Sequence, residues 1–104
     1  MVKKISESAF EREVLDADVP VLVDFYANWC APCRKMTPML DKLMSEAKGR
    51  YKVVKVDTET ESELATQYRV TTLPTLIVFT RGRAGKPLVG VQDKLTLMMA
   101  LGLV

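Results

Sequence analysis

The amino-acid sequence predicts a single α/β domain built on a mixed β-sheet, and three observations support this. The chain has 104 residues, near the common size of one hydrophobic core. Short apolar runs alternate with segments of helical periodicity, and a turn-rich C-terminal third adds a hairpin and a last helix. The resulting order, β-α-β-α-β-α-β-β-α, is typical of α/β proteins. No linker, repeat or low-complexity segment interrupts it, so we expect one domain over residues 1–104.

The first predicted elements are an edge strand, a helix and a central strand. MVKKI is a candidate short edge strand. Ser8 and Glu11 stand at capping-box spacing, which predicts a helix from about Ala9 to Ala17. Pro20 then opens VLVDFYA, an almost continuous apolar run. Such a run is expected for a strand that is covered on both faces.

The segment after the two cysteines predicts the longest helix. Gly49 is placed to end this helix, and Pro38, which lies inside it, should kink it. The apolar residues that recur there at helical spacing are Met36, Met39, Leu40, Leu43 and Ala47.

The second half of the chain predicts three strands and two helices. YKVVKVD and TLIVFT are the next two strands, and Thr60 and Glu63 offer a capping box for the helix between them. RGRAGK is expected to form a turn with two glycines, and PLVGV a short last strand. Asp93 is positioned to cap the final helix over KLTLMMALGLV.

Composition excludes several classes of protein. Hydrophobic residues make up 48% and charged residues 27%, which is globular composition and argues against disorder. A net charge of +2 without a basic block gives no reason to expect a nucleic-acid or membrane partner. The apolar stretches are much shorter than the roughly 20 residues of a membrane span. Histidine is absent, which removes Ser–His–Asp triads, Cys–His pairs and imidazole zinc sites.

The N-terminus, MVKKISESAF, lacks the apolar core of a secretory signal. A cytoplasmic location is therefore expected, where thiols are normally reduced and a lone cysteine pair is catalytic or metal-binding more often than structural. A secreted chain whose signal has been removed would show the same features, so that alternative stays open.

The two cysteines, Cys30 and Cys33, form a C-x-x-C pair where a strand ends and a helix begins. Pro32 fits the first turn of that helix. Cys30 then lies at the helix N-terminus, where free N–H groups, the helix dipole and the neighbouring cations Arg34 and Lys35 favour a thiolate. Cys33 lies on the same helix face, and only a small adjustment separates a dithiol from a disulfide. This geometry predicts a redox pair in which Cys30 attacks and Cys33 resolves the mixed disulfide.

A metal site is the weaker interpretation of the pair. No third cysteine and no histidine is present, so a tetrahedral site would need carboxylates or a second chain. We therefore expect no metal, and no bound cofactor, because the two sulfurs carry the electrons.

The stretches VDFYANWCAPCRKMTPML, VVKVD and TLPTLIVF resemble the thioredoxin family, and the resemblance covers essentially the whole chain. It implies the thioredoxin fold: a central mixed five-stranded sheet, order 1-3-2-4-5, flanked by four helices. It implies reduction of protein disulfides, with a thioredoxin reductase, NADPH-linked or of another kind, restoring the dithiol. It also implies an exposed nucleophile at Cys30 and a buried resolving thiol at Cys33. We expect a monomer, with a dimer through the apolar final helix as the alternative.

Three further residues match catalytic positions of that family. Asp24 matches its buried aspartate, and as the only charge in VLVDFYA it is also expected from the residues alone to be buried. Burial would raise its pKa and suit a base that takes the proton of Cys33; exposure at a bulge is the alternative. Lys55 matches the lysine partner of that aspartate, unless it extends to solvent. Pro74 matches the cis-proline that faces the disulfide.

An apolar rim around the pair is expected to receive an extended peptide. Trp29 is the only tryptophan of the chain and directly precedes Cys30, which favours a role in recognition over simple packing. The residues predicted to bind substrate are Trp29, Ala31, Pro32, Leu73, Gly90 and Val91, next to Pro74.

The chain departs from the usual family pattern near the pair. Ala31-Pro32 stands where Gly-Pro is usual, Tyr26 where many members have tryptophan, and Thr72-Leu73 where Gly-Ile is usual. These differences affect the expected reduction potential and the choice of partner, but not the reaction class. Two alternatives remain open: a disulfide oxidase or isomerase, and a non-catalytic binding or chaperone subunit that uses the apolar rim.

Overall fold

A six-stranded mixed sheet forms the centre of the chain in the computed structural model, which describes residues 1–104. The strand order is β1-β3-β2-β4-β5, and β6 also pairs with β4. The first three strands run parallel to one another, and β4 is antiparallel to β2. This confirms the predicted thioredoxin fold and its order 1-3-2-4-5. The strands are β1 Lys3–Lys4, β2 Val21–Tyr26, β3 Lys52–Asp57, β4 Thr75–Thr80, β5 Arg83–Ala84 and β6 Leu88–Val89.

Four helices flank the sheet, and none of them is long and apolar enough to cross a membrane. Helix α1 continues directly into a π-helical turn, and α2 is the longest, at 16 residues. Their bounds are α1 Glu7–Phe10 with the π-helical turn Glu11–Leu15, α2 Ala31–Glu46, α3 Ser62–Gln67 and α4 Lys94–Ala100.

The two faces of the sheet are covered by different helices because side chains alternate along each strand. On one face, Leu22 of β2 packs with Met36 of α2 and Leu97 of α4. On the other face, Phe25 of β2 packs with Phe10 of α1 and Leu64 of α3. β2 is therefore buried on both sides, as its apolar run predicts.

The predicted start of the first helix is wrong. The helix begins at Glu7 with Ser6 as its extended N-cap residue, so Ser8 lies inside it and no capping box with Glu11 forms. The end of the helix is a π-helical turn that sequence periodicity did not indicate. There, the Lys52 ammonium group of β3 donates to the main-chain oxygen of Glu13 at 2.6 Å. A contact of this kind depends on the tertiary structure.

The predicted capping box of the third helix is also wrong, whereas the cap of the fourth is confirmed. Helix α3 has Glu61 as its N-cap residue and no side-chain cap. The buried Asp57 carboxylate organises the preceding turn by accepting from the Glu59 amide at 2.9 Å. In α4, the Asp93 carboxylate accepts from the Thr96 amide at 2.8 Å.

Helices α2 and α4 both end earlier than the sequence predicts. Helix α2 runs through Pro38 and ends at Glu46, and the glycine expected to end it, Gly49, lies in the following turn at φ +80°. Helix α4 ends at Ala100 in a Schellman motif. The Gly102 amide donates to the Met99 carbonyl, and the Leu103 amide donates to the Met98 carbonyl.

The sheet has six strands instead of the expected five because the RGRAGK segment is not only a turn. Arg83–Ala84 pairs with β4, and Gly85 then donates to the Val78 carbonyl at 2.8 Å. A Cβ at position 85 would lie 2.9 Å from that carbonyl oxygen. Because glycine has no Cβ, the chain between β5 and β6 can lie this close to the Val78 carbonyl of β4.

Candidate active site

The two cysteines lie where the loop after β2 enters helix α2. Cys30 is the N-cap residue of α2, with extended backbone at φ −86° and ψ 108°, and Cys33 lies in the first turn. A disulfide joins them across a Cα–Cα distance of 5.3 Å. The predicted adjacency of the two sulfurs is therefore present, and the structure represents the oxidised chain.

The N-terminus of α2 is arranged to favour negative charge on the sulfur of Cys30. That sulfur accepts a hydrogen bond from the Cys33 amide at 3.2 Å. The first turn of α2 contains no acidic residue, and the Arg34 guanidinium donates to the Asn28 carbonyl at 2.8 Å, which holds this cation against the loop. A free N–H group and the helix dipole both stabilise a thiolate at this position.

The expected difference in exposure between the two cysteines is not present in the oxidised chain. Cys30 and Cys33 are each only 4% exposed, so the prediction that Cys30 is exposed is wrong for this state. The reason is local packing: both cysteines form a small cluster with Ala27, against which Tyr26 and Leu73 pack.

Asp24 lies in the middle of β2, on the face that α2 covers, and is 4% exposed. One of its carboxylate oxygens, Oδ1, has no hydrogen-bond partner. Desolvation raises the pKa of Asp24 to about 7, although the positive charge of Lys55 opposes the shift. Burial of this aspartate was predicted, and a carboxyl group with this pKa exchanges a proton readily at neutral pH.

A small cavity of about 120 Å³ connects Asp24 with the disulfide. Cys33 and Asp24 both line this cavity, so the buried carboxyl group and the second cysteine share one small space. The volume is sufficient for a water molecule to bridge two polar groups. The residues lining the cavity are Asp24, Tyr26, Ala27, Asn28, Cys33, Arg34, Thr37 and Lys55.

Lys55 lies next to Asp24 but does not form an ion pair with it. The two residues are directly opposite each other in the parallel pairing of β3 and β2. The ion pairs of the chain involve other residues. The ammonium group of Lys55 instead lies 5.2 Å from the centre of the Tyr26 ring. Lys55 therefore lies next to Asp24 as predicted, and its catalytic role stays a prediction.

The Leu73–Pro74 peptide bond is cis, as the resemblance implies. Leu73 packs against the cysteine cluster, and the main-chain oxygen of Pro74 accepts from the Gly90 amide at 2.8 Å. The loop around Gly90 is thereby held beside the cis-proline, although these residues are far apart in sequence.

The remaining residues of the predicted rim lie at the surface. Trp29 is 68% exposed and Val91 is 54% exposed. Ala31 and Pro32 are also exposed, whereas Pro74 is buried. An apolar surface is therefore available beside the disulfide, and binding of a peptide there stays a prediction.

Sequence reasoning did not select two residues that contact the site. Ala27 packs on both cysteines, and Thr37 lines the cavity between Cys33 and Asp24. Thr37 carried a detectable signal, because a residue four positions after Cys33 lies on the same face of a helix. Elsewhere in the chain, no group of three or more His, Cys, Asp or Glu side chains is placed to hold a metal ion.

Comparison with known proteins gives consistent matches. The Thioredoxin family model matches residues 1–102. Thioredoxin 1 of Nostoc sp. is 44% identical over 98 residues, which cover 94% of this chain and 92% of that protein. Thioredoxin of Synechocystis sp. is 40% identical over 94% of this chain and 92% of its own length. Thioredoxin of Rickettsia felis is 37% identical over 94% of this chain and 93% of its own length.

These matches extend over nearly the full length of the chain and of each relative, and they include the strand, the cysteine pair and the helix described above. With the Cys30–Cys33 disulfide at its active site, the chain belongs to the thioredoxin family and is a thiol–disulfide oxidoreductase that acts as a protein-disulfide reductase.

Proposed function

We propose that the chain reduces disulfides of other proteins, with Cys30 as nucleophile and Cys33 as resolving thiol. The Cys30 thiolate attacks one sulfur of a substrate disulfide, a mixed disulfide forms, and the first substrate thiolate leaves and takes up a proton. The Cys33 thiolate then attacks the sulfur of Cys30 and releases the second substrate thiolate. Two electrons pass to the substrate, and the chain is left with the disulfide seen in the structure.

The observation that carries this assignment of roles is the asymmetry around the two sulfurs. The sulfur of Cys30 is at the N-cap of α2 and accepts a backbone hydrogen bond, which favours its thiolate. Cys33 instead borders the cavity that leads to Asp24. Cys33 must lose a proton before it can attack, and in the proposed mechanism Asp24 accepts this proton, directly or through a water molecule. Its raised pKa, about 7, is close to the pH at which it must act.

The proposed substrate groove runs between the cysteine pair and the cis-proline. Leu73 contacts the cysteine cluster, and Trp29, which precedes Cys30, and Val91, which follows Gly90, supply exposed apolar side chains. An extended peptide that presents its disulfide to Cys30 would bury this surface. Ala31 and Pro32 are exposed at the start of α2 and would form the remaining edge.

The proposed partners are proteins with accessible disulfides and a thioredoxin reductase that restores the dithiol. A reductant needs a continuous supply of electrons, which places its action in a reducing compartment such as the cytoplasm. A monomer is proposed because Leu97 and Leu101 are buried in the core and Met98 and Leu103 pack against it. Most of the apolar surface of the last segment is therefore used within the chain.

The experiment that tests the proposed roles compares Cys33→Ser with Cys30→Ser. Each reduced variant is mixed with a disulfide-bonded protein, and covalent adducts are measured by non-reducing electrophoresis and mass spectrometry. We expect Cys33→Ser to accumulate the mixed disulfide through Cys30, and Cys30→Ser to form much less of it. Equal trapping by the two variants, or preferential trapping by Cys30→Ser, would contradict the assignment.

The non-catalytic alternative is tested with the double variant Cys30→Ser/Cys33→Ser. A binding or chaperone role that uses the apolar rim would survive this replacement, because neither serine changes the exposed surface of Trp29 or Val91. We expect disulfide reduction to be lost completely. The oxidase or isomerase alternative is not favoured by the comparisons, since the relatives reported above are thioredoxins.

A further inference from the structure

Asp24 and Lys55 have an unusual relationship for two opposite charges at one site. They are paired in register on adjacent strands, and both line the cavity that Cys33 also lines and a second small cavity beside Leu40. The chain nevertheless closes no ion pair between them, and Oδ1 of Asp24 has no hydrogen-bond partner. The ammonium group of Lys55 therefore lies beyond ion-pair distance of the Asp24 carboxylate.

The aromatic ring of Tyr26 lies next to the ammonium group of Lys55. Tyr26 lies two residues after Asp24 on the same strand, so both side chains are on the same face of the sheet. The Lys55 ammonium group lies 5.2 Å from the centre of its ring, within the roughly 6 Å range of a cation–π contact. The charge of Lys55 is thus attracted to the ring face at the edge of the cavity.

We propose that Tyr26 is a positioning residue for the proton transfer from Cys33: its ring holds the Lys55 ammonium group and keeps this cation out of a direct ion pair with Asp24. The inference rests on the proposed function, in which Asp24 accepts that proton. Tyr26 itself takes part in no bond making or breaking.

The physical reason is the strength of Asp24 as a base. A cation in direct contact typically lowers the pKa of a carboxyl group by about 1–3, and the carboxylate would then be too weak a base to take a proton from a thiol. With Lys55 on the Tyr26 ring, desolvation outweighs the charge of Lys55, and the pKa of Asp24 is about 7. The charge of Asp24 in turn contributes to raising the pKa of Tyr26, after desolvation and Asp57.

Two other charged residues that line these cavities have partners of their own. Arg34 of α2 donates to the Asn28 carbonyl, and Asp41 of α2 accepts from the Val2 amide at 3.2 Å. On β4, the residue opposite Asp24 is Leu76, which carries no charge. The titratable and charged groups that face the two cavities are Tyr26 from β2, Lys55 from β3, Cys33, Arg34 and Asp41 from α2, and the chain terminus at Met1.

The experiment measures the pKa of Asp24 in the oxidised full-length chain, from the pH dependence of its carboxyl carbon resonance. In Tyr26→Leu the ring face is removed, and we expect the pKa of Asp24 to fall by about 1 or more, as for a newly formed ion pair. In Tyr26→Phe the ring is kept, and the pKa of Asp24 should stay where it is. The backbone contacts of Tyr26 from the amide and hydroxyl of Thr58 do not depend on its side chain. Tyr26→Met provides the same test if the leucine variant is poorly folded.

Repeating the Tyr26→Leu measurement in a Lys55→Gln chain distinguishes the proposal from a simple entry of water into the cavity. Lys55→Gln removes the cation, so Tyr26→Leu should then have little effect on the pKa of Asp24. The proposal is overturned if Tyr26→Leu leaves this pKa unchanged, or lowers it equally in the presence and absence of Lys55.

Failure of the proposed function would have a different signature. The titration uses the oxidised chain and requires no turnover, whereas the pH profile of disulfide reduction does. We expect the lower midpoint of that profile to move down with the pKa of Asp24 in Tyr26→Leu. A shifted pKa with an unmoved profile would overturn the role of Asp24 in catalysis and leave the placement of Lys55 by Tyr26 intact.

Discussion

At the scale of single residues, the site depends on one buried carboxyl group and two sulfurs. The sequence indicated Asp24 because it is the only charge in an apolar strand, and the structure confirms that it is buried. The sequence could not show that Cys30 is equally buried in the oxidised chain, because this depends on the cluster that Cys30 forms with Ala27 and Cys33, against which Tyr26 and Leu73 pack. Exposure of a side chain depends on its neighbours in space, and the sequence does not specify these.

Asp24→Asn is expected to slow disulfide reduction. Asparagine cannot accept the proton of Cys33, and general base catalysis typically contributes 10²–10⁴-fold. Because a thiol already ionises near pH 8.5, we expect a smaller loss at pH 7, about 10- to 100-fold. The rate of mixed-disulfide resolution, measured by stopped flow between pH 6 and 9, should show the largest loss near neutral pH. An unchanged rate would contradict the role proposed for Asp24.

The same substitution is expected to stabilise the oxidised chain at high pH. The pKa of Asp24 is raised in the folded state to about 7, from 3.8, so the folded state holds this proton over a range in which the unfolded state has lost it. Burial of the Asp24 carboxyl group therefore costs little below pH 4 and destabilises the folded chain increasingly as the pH rises to about 7. Asp24→Asn should raise the free energy of unfolding by about 4 kcal/mol at pH 8 and hardly at pH 4. Urea denaturation at the two pH values measures this difference, and an equal effect at both would contradict the assigned pKa.

At the scale of elements, the sequence predicted which elements exist more accurately than where they end. Asp93 caps α4 as expected, whereas the two predicted capping boxes do not form. A capping motif in the sequence shows only that a side chain of a suitable type stands at the spacing that a helix cap requires. Whether it is used depends on competing contacts, such as the bond from Lys52 to the main chain of Glu13.

Two glycines that end elements are expected to differ in their tolerance of alanine. At Gly102, φ is +76° and a Cβ would meet nothing within 4 Å, so Gly102→Ala should cost about 1 kcal/mol from backbone conformation alone. At Gly85, a Cβ would lie 2.9 Å from the Val78 carbonyl oxygen. The strand must shift to relieve this contact, so Gly85→Ala should cost about 2 kcal/mol or more. Urea midpoints of the two variants give the comparison, and an equal or smaller loss for Gly85→Ala would be inconsistent with the close approach of β5 and β4.

At the scale of the whole molecule, the sheet is stabilised by a separate apolar cluster on each face. Helices α2 and α4 cover one face, and α1 and α3 cover the other. The C-terminal helix is short, but Leu97 at its centre is completely buried in the first cluster. On the same helix, Leu95 is 59% exposed and Met99 is 60% exposed. Helix α4 thus carries both a residue that packs in the core and apolar residues that are exposed to solvent.

Leu97→Ala and Leu95→Ala form a matched pair on this helix. We expect Leu97→Ala to lower the free energy of unfolding by about 2–5 kcal/mol, because it leaves a cavity between α4 and the sheet. Leu95→Ala should change it by less than about 0.5 kcal/mol. If α4 instead formed a dimer interface, Leu95→Ala would change the mass measured by light scattering. We expect a monomer mass for both the parent chain and the Leu95 variant.

The sequence alone was sufficient to predict the buried central strand, the position of the redox pair at the start of a helix, and the order of the elements apart from the extra strand β5. These features follow from local periodicity, from turn chemistry and from the spacing of two cysteines. The sequence could not show that Asp24 and Cys33 line one cavity, that the Gly90 amide donates to the Pro74 carbonyl, or that the Lys55 ammonium group lies over the Tyr26 ring. The reason is that each of these contacts joins different strands, loops or helices. Their distances depend on how the sheet pairs and how α2 packs across it.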